Sequence, residues 1–255
     1  MATVLSQLQA VEAFHLAFLR VLEAKVDRSA YVVKGGVNLR AWFGSIRYSE
    51  DLDLDVMRGQ VFELRDSVDA LLASRAFGDL LKTQGLTVSR VSKPKQTETT
   101  QRWKLELEAV GQAMPLHTKI EFSRRGSDDE CILEPVLSEI VRPYGIPAPT
   151  ANHYTAASAM RQKVGALAGR RETQARDVWD LDHLFRTTKA DPRPLPPSIR
   201  KALPAALDRV MDMPFEAFRA QVVAYLAPEH QDLYGTAEAW QRMQELVIDR
   251  LAELQ

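Results

Sequence analysis

Three aspartates alternate with apolar residues in segment 49–56, which reads SEDLDLDV. Because a period of two is typical of a strand with unlike faces, Asp51, Asp53 and Asp55 are predicted to share one face of a strand. Same-face neighbours lie roughly 6.6 Å apart, where two carboxylates repel by about 2.5 kcal/mol at an effective dielectric constant of about 20. Such a row of carboxylates needs either a cation or bulk water.

Magnesium is the hard cation that binds carboxylates together with substrate phosphates. An Asp-x-Asp pair on a strand therefore indicates a metal-dependent phosphate site. The aspartates alone fit a solvated edge strand equally well, since charged side chains also protect the edges of sheets. The residues around the aspartates have to decide between these interpretations.

A glycine pair precedes the aspartates. Residues 31–33 read as a short strand that stops at Lys34-Gly35-Gly36, and residues 37–43 read as a short helix. This order lets phosphate approach bare backbone N–H groups and the positive end of a helix dipole. No Walker lysine follows the glycines, so the segment is not a P-loop.

The motifs together resemble a known family. They are Lys-Gly-Gly-x-x-Leu-Arg at 34–40, Arg-x-Ser-x-Asp-Leu-Asp at 47–53, and Lys163 followed by Arg-Asp-x-x-Asp-Leu at 176–181. In this order they resemble the AbiEii/MenT nucleotidyltransferase-like toxins, the toxin halves of toxin–antitoxin pairs. The resemblance runs from residue 31 to residue 184.

The resemblance implies an α/β fold: a polymerase-β-type nucleotidyltransferase core, with a mixed sheet flanked by helices, followed by an all-helical C-terminal half. A proline-rich connector, RPYGIPAPT at 142–150, marks the predicted change between them. Residues 1–145 are therefore predicted to form the core domain. Residues 146–255 are predicted to form a helical domain that contributes Lys163 and Asp177 to the cleft.

The resemblance also implies a role for each site residue. The metal ligands would be Asp51, Asp53 and Glu121. The catalytic set would be Asp51, Asp53, Lys163 and Asp177. Contacts to the nucleotide would come from Gly35, Gly36, Arg47, Ser49 and Lys163. Asp55 would have a supporting role at most, or lie at the solvated end of its strand. For Glu121, an exposed strand glutamate is an equally good interpretation.

A local basic cluster follows the predicted core. Five cations lie within 16 residues, opposed by Glu172 and Asp177; they are Arg161, Lys163, Arg170, Arg171 and Arg176. This excess could bind a triphosphate, an RNA backbone or nothing in particular. Arg170 and Arg171 are the predicted RNA contacts. Because the net charge is only −1, any RNA must be held by such a patch.

The activity implied by the resemblance is transfer of a nucleoside monophosphate from an NTP to RNA. The acceptor would be the 3′ end of tRNA, so that translation stops. Magnesium is the expected cofactor, and NTP, RNA and a cognate antitoxin are the expected partners. Two alternatives remain open: a small-molecule nucleotidyltransferase of the antibiotic-resistance type, and a catalytically inert binding protein on the same fold.

Composition bounds these interpretations. A chain of 255 residues with 45% hydrophobic content can bury a sizeable core. The lone Cys131 excludes an internal disulfide, and the five histidines show no zinc spacing. The sequence has neither a signal peptide nor an apolar run of about 18 residues. We therefore expect a cytoplasmic protein with no membrane partner.

Periodicity and turn residues predict the remaining elements. Helices are predicted at 6–26, 62–81, 152–168, 172–186, 199–211, 215–226 and 237–254. Strands are predicted at 86–91, 102–110 and 116–122, with a polar loop at 126–130.

Overall fold

The computed structural model of the chain describes residues 4–124 and 129–255. The chain divides into two compact units. Unit 1 comprises Met1–Gly44 and Tyr48–Tyr154, and unit 2 comprises Ser45–Arg47 and Thr155–Gln255. Unit 1 extends past the predicted boundary at residue 145, because residues 150–154 add a strand to its sheet.

A mixed sheet with flanking helices forms the centre of unit 1, which confirms the predicted fold class. Its strands are β1 (Tyr31–Lys34), β2 (Leu52–Val56), β3 (Leu86–Gln96), β4 (Thr100–Ala109), β5 (Leu116–Ser123), β6 (Cys131–Pro135) and β7 (Thr150–Tyr154). Within the described ranges the sheet has seven strands in the order β3-β4-β5-β2-β1-β7-β6. Strand β2 is central: it pairs antiparallel with β1 and parallel with β5.

Five α-helices accompany this sheet in the described part of unit 1. They are α1 (Gln7–Lys25), α2 (Gly35–Phe43), α3 (Val61–Leu72), α4 (Arg75–Thr83) and α5 (Ser138–Val141). The core lies on the apolar face of the sheet, where Leu52 and Leu54 are fully buried, as the alternation predicts. In the same core, Phe14 of α1 packs edge to face on Phe77 of α4, with ring centroids 5.8 Å apart.

The single helix predicted at 62–81 is wrong, because two helices occupy this segment. Helix α3 ends at Leu72 and α4 starts at Arg75. The break lies at Ser74, whose hydroxyl accepts a hydrogen bond from the N–H of Phe77 and caps α4. Serine is favoured at helix caps over helix interiors, because its hydroxyl can form hydrogen bonds with nearby backbone N–H and C=O groups.

The prediction that a helix starts at residue 152 is also wrong. Residues Thr150–Tyr154 form β7, which pairs parallel with β1 and antiparallel with β6. The following helix starts at Ala156, after Thr155, whose hydroxyl caps it by accepting from the N–H of Ser158. Strand β6 was not predicted either, and most of the polar loop predicted at 126–130 lies outside the described residues.

Unit 2 is helical in the part that the structure describes. Its helices are α6 (Ala156–Gly169), α7 (Ala175–Thr187), α8 (Pro197–Met211), α9 (Phe215–Gln221), α10 (Pro228–Tyr234) and α11 (Ala237–Ala252). Aromatic rings hold the unit together: Phe218 stacks on Trp240 with centroids 4.6 Å apart, and Trp179 packs beside them. In the described residues of either unit, no helix is both long enough and apolar enough to cross a membrane.

Candidate active site

Four charged side chains form a row across the polar face of the sheet in unit 1. Asp53 in β2 lies opposite Lys34 in β1 and Glu121 in β5, and Glu121 lies opposite Arg102 in β4. Residues in register on neighbouring strands project from the same face. We call Arg102, Glu121, Asp53 and Lys34 the Asp53 row.

Glu121 lies on the strand beside the Asp-x-Asp strand, where the resemblance places a third carboxylate. Its carboxylate is bound by Arg102, whose Nε donates to Oε2 at 2.6 Å. The negative charge of Glu121 is therefore balanced by a neighbour within the sheet. Its role as a metal ligand stays a prediction.

Asp53 differs from the other carboxylates of this face. In the part of the chain that the structure describes, its side chain makes neither a hydrogen bond nor an ion pair. Burial raises the pKa of Asp53, and the cations of Lys119 and Lys34 offset only part of this effect. The ionised carboxylate is thus held at a cost in free energy, which a bound cation would remove.

Asp51 stands just before β2 and is held by two contacts. Its carboxylate forms an ion pair with Lys119 of β5. Its backbone carbonyl accepts a hydrogen bond of 2.8 Å from the hydroxyl of Ser49. The hydroxyl proton of Ser49 therefore stabilises the turn that leads into β2, and its predicted contact to phosphate stays a prediction.

Asp55 is buried and has two partners, so its predicted place at a solvated strand end is wrong. It accepts hydrogen bonds from the ammonium of Lys34 and from the hydroxyl of Tyr154, the latter at 2.8 Å. The reason is tertiary: β7 lies next to β1 in the sheet and brings Tyr154 over this end of β2. Asp55 thereby fixes Lys34 beside the glycine pair.

The glycine pair opens helix α2 next to Asp53. Gly35 has φ of +69°, in the left-handed region that favours glycine. A Cβ atom on Gly35 would lie 3.5 Å from Oδ2 of Asp53, so the backbone passes directly over this carboxylate. The first N–H groups of a helix have no partner within it, and the positive end of the helix dipole favours anions. Gly36 follows as the second residue of α2.

Unit 2 contains a separate network of buried charges. Lys163 of α6 contacts Oδ1 of Asp177 at 2.9 Å and Oδ2 of Asp180 at 2.6 Å, both in α7. Arg47 contacts Asp180 at 3.1 Å, and Arg170 contacts Asp177 at 3.0 Å. We call these five residues the ion cluster. Three of them are cations and two are carboxylates, so the cluster carries one net positive charge.

Both carboxylates of the ion cluster are fully buried, and the charged forms of Lys163 and Asp180 are stabilised by their partners. Burial acts to lower the pKa of Lys163, but Asp177 and Asp180 outweigh it and raise that pKa. Burial acts to raise the pKa of Asp180, but Arg47 and Lys163 outweigh it and lower that pKa. A lysine ammonium has three donors, and two of those on Lys163 are directed at the cluster. One donor is left for a further acceptor.

Sequence reasoning missed Asp180 as a site residue. Asp180 bridges Arg47 and Lys163, and its side chain is fully buried. A signal was present, because Asp177 and Asp180 are three residues apart and so lie on one face of a helix. Of the two predicted RNA contacts, Arg170 is paired with Asp177, whereas Arg171 is exposed.

The structure thus gathers the predicted site residues into two groups. Gly35, Ser49, Asp51, Asp53 and Glu121 lie around the start of β2 in unit 1. In unit 2, Arg47, Lys163, Asp177 and Arg170 meet in the ion cluster. In the ranges 4–124 and 129–255, no three His, Cys, Asp or Glu side chains are arranged to hold a metal ion by themselves.

Comparison with known proteins gives one family and several structures of similar fold. The profile of the family described as nucleotidyl transferase AbiEii toxin, Type IV TA system, matches residues 17–252. JHP933 from Helicobacter pylori is 18% identical, with a TM-score of 0.62 over 98% of this chain and 96% of that one. MenT4, a nucleotidyltransferase toxin from Mycobacterium tuberculosis, is 20% identical, with a TM-score of 0.60 over 97% of this chain and 86% of that one. A comparison with curated proteins gives no match.

Proposed function

The chain belongs to the AbiEii nucleotidyl transferase toxin family, as its motifs predicted, and we propose that it transfers a nucleoside monophosphate from an NTP to the 3′ end of tRNA. In this step the RNA 3′ hydroxyl oxygen bonds to the α-phosphorus of the NTP. The bond from that phosphorus to the bridging oxygen breaks, pyrophosphate leaves with the electron pair, and the hydroxyl proton passes to water. The extended tRNA would no longer serve translation.

One observation carries this proposal: the partnerless carboxylate of Asp53 beside Asp51, under the glycine that opens α2. A carboxylate that is partly buried without a hydrogen bond costs free energy, and proteins keep such groups where they have a use. The helix N-terminus supplies donors suited to phosphate at the same place.

The residues at this place fit magnesium. This ion is usually held by one or two carboxylates together with substrate phosphates, and not by a complete protein cage. Asp51 and Asp53 would hold it, with Glu121 as a further ligand if Arg102 releases its carboxylate. When bound, magnesium would stabilise the charge that develops on the phosphates during transfer.

The remaining residues would bind and orient the nucleotide. The N–H groups of Gly35 and Gly36 would donate to phosphate oxygens. The ammonium of Lys163, which Asp177 holds in place, would donate its remaining hydrogen to a phosphate oxygen. Arg47 and Ser49 stay proposed as further phosphate contacts.

Two arginines near the end of α6 are proposed to contact RNA. Arg171 is exposed, and Arg170 is more than one-third exposed while it pairs with Asp177. Contacts of this kind act on the phosphate backbone, so they raise affinity without reading sequence. Because the family consists of toxins of toxin–antitoxin systems, a cognate antitoxin is also proposed as a partner.

The test is to incubate the purified protein with total RNA and each of the four α-labelled NTPs in turn, with magnesium or with a chelator. We expect label in RNA of tRNA size, only with a divalent ion, and none with Asp53→Asn. Glu108→Gln serves as the control, because Glu108 is an exposed acid in β4 outside the Asp53 row. Labelling of a small hydroxylated compound, with RNA untouched, would contradict the proposal and favour a small-molecule nucleotidyltransferase.

A further inference from the structure

A pocket of about 370 Å³ with several charged side chains in its lining lies in unit 1 on the face that carries Asp51. Its lining includes Asp51, Arg90, Lys104, Glu106, His117 and Lys119. This volume lies within the range of small-molecule sites, about 300–1,000 Å³. Asp51 belongs both to the pocket wall and to the predicted metal pair, so a ligand bound here would lie beside the reaction.

Two lysines face each other in the wall of this pocket. Lys104 of β4 is directly opposite Lys119 of β5 in the ladder. Directly opposite side chains have Cβ atoms roughly 4.5–5.5 Å apart, and like charges at this separation are destabilising. A like-charge pair in the wall of a pocket is therefore an unfavourable arrangement that an anion relieves.

Within the described chain, only one of these lysines is neutralised by another side chain. Lys119 forms an ion pair with Asp51. Lys104 is exposed, and it has neither a hydrogen bond nor an ion pair anywhere in the described chain. The positive charge of Lys104 thus remains available to a ligand, and phosphate is the anion that a nucleotidyltransferase meets.

The next pair along the ladder adds an aromatic ring and an ion pair. His117 of β5 lies opposite Glu106 of β4, and Glu106 pairs with Arg90 of β3 at 3.3 Å. Arg90 therefore neutralises Glu106. The imidazole of His117 is exposed and has neither a hydrogen bond nor an ion pair in residues 4–124 and 129–255. Proteins that bind single-stranded RNA stack unpaired bases on aromatic rings, including that of histidine.

We propose that this pocket, the acceptor pocket, binds the terminal nucleotide of the RNA acceptor. Lys104 contacts the phosphate of this nucleotide, and His117 packs against its base. The inference rests on the proposed function and deepens it, because it identifies where the acceptor lies relative to Asp51. A cation for the phosphate and a ring for the base are the two contacts that hold single-stranded nucleic acid.

The test compares Lys104→Gln and His117→Ala with the wild-type protein. Two quantities are measured: steady-state transfer as a function of tRNA concentration, and binding of fluorescent tRNA without NTP. Lys201→Gln is the matched control, because Lys201 is an exposed lysine of α8 in unit 2. All three side chains are exposed, so the variants are expected to fold.

For Lys104→Gln we expect about a three- to tenfold rise in KM for tRNA, with kcat and the KM for NTP unchanged, and a salt slope of binding that falls by about 1. His117→Ala should weaken tRNA binding by about fivefold or more through lost stacking, with little change in the salt slope. Lys104→Arg should restore affinity, and Lys201→Gln should match the wild type.

Binding without NTP separates the failure of this inference from the failure of the proposed function. Unchanged tRNA affinity in both pocket variants would overturn the acceptor pocket even if wild-type transfer to tRNA is observed. A higher KM for NTP in Lys104→Gln, with tRNA binding intact, would also overturn it, because the lysine would then serve the nucleotide donor. Absence of RNA labelling by the wild type would instead overturn the proposed function.

Discussion

The ion cluster of unit 2 and the Asp53 row of unit 1 differ in whether every carboxylate has a cationic partner. In the ion cluster of unit 2, Asp177 and Asp180 are fully buried and each contacts two cations. In the Asp53 row of unit 1, Asp53 has no such partner within the described residues. A buried carboxylate with partners fixes the positions of those partners, whereas one without partners is suited to a ligand.

This difference assigns different tasks to the two regions. The residues of the ion cluster pair with each other, so they are positioned before any ligand binds. The Asp53 row carries electrostatic stress that a metal ion would relieve. Substitutions should therefore damage mainly stability in the first region and mainly activity in the second.

The largest effect is expected for Asp180→Ala in the ion cluster. Removing one member of a buried network of ion pairs typically costs about 3–5 kcal/mol, because the remaining charges stay buried without compensation. Here Arg47 and Lys163 would lose their shared carboxylate. Chemical denaturation measures the loss, with Asp208→Ala as the control at an exposed acid of α8. A loss equal to that of the control would refute the buried network.

The wild-type protein and Asp180→Ala also give a test that depends on pH. Because the pKa of Asp180 is lowered in the folded state, its stabilising contribution is fully present above the unfolded pKa of about 4. This contribution is lost as the pH falls through the lowered folded value. The difference in unfolding free energy between wild type and Asp180→Ala should therefore shrink below about pH 4. A difference that stays constant down to acid pH would contradict the assignment.

Asp53→Asn is expected to act in the opposite way. Transfer should fall by more than about a hundredfold if Asp53 binds the metal. The unfolding free energy without magnesium should stay equal or rise, because a carboxylate whose pKa is raised by burial is removed. Thermal melting with and without magnesium measures the stability of both proteins. The stabilisation that magnesium gives the wild type should be absent in Asp53→Asn. An active Asp53→Asn protein would refute the metal assignment.

Lys163→Met separates binding from stability within the ion cluster. Loss of a charge-assisted hydrogen bond costs about 1.5–3 kcal/mol, which is about tenfold to over a hundredfold in affinity for NTP. The affinity for tRNA should change little. Both affinities are measured on protein shown to be folded by circular dichroism. Unchanged NTP binding would leave Lys163 with a purely structural role in the network.

The smallest effect is expected for Asp55, in the strand that also carries Asp53. Asp55→Asn should lower the unfolding free energy by about 1–3 kcal/mol, since Lys34 and Tyr154 lose a charged acceptor. Tyr154→Phe should cost about 1 kcal/mol, because the hydrogen bond from the tyrosine hydroxyl to Asp55 is lost. Transfer should fall by less than tenfold in both, in contrast to Asp53→Asn. An inactive but stable Asp55→Asn protein, together with an active Asp51→Ala protein, would show that the metal pair is Asp53 with Asp55.

Much of the fold could be predicted because it depends on local patterns. Alternation placed Leu52 and Leu54 in the core, and helical periodicity found α1 and α11 within one or two residues. Strands β6 and β7 were missed because they are short segments whose strand form depends on pairing with distant residues. The break at Ser74 depends on a cap that periodicity does not register.

The sequence by itself determined the motifs on which the proposed chemistry depends: the Asp-x-Asp strand, the glycine pair before it, and the lysine and aspartates of α6 and α7. These motifs were enough to predict the family, because the spacing of residues on a strand or a helix is a local property. Which carboxylate has a partner was decided only by the tertiary structure. That choice depends on strand order, which sets Lys119 beside Asp51 and Tyr154 beside Asp55 and leaves Asp53 between Lys34 and Glu121. Ion pairs between residues far apart in the chain form only when the sheet brings them within reach, so no local pattern records them.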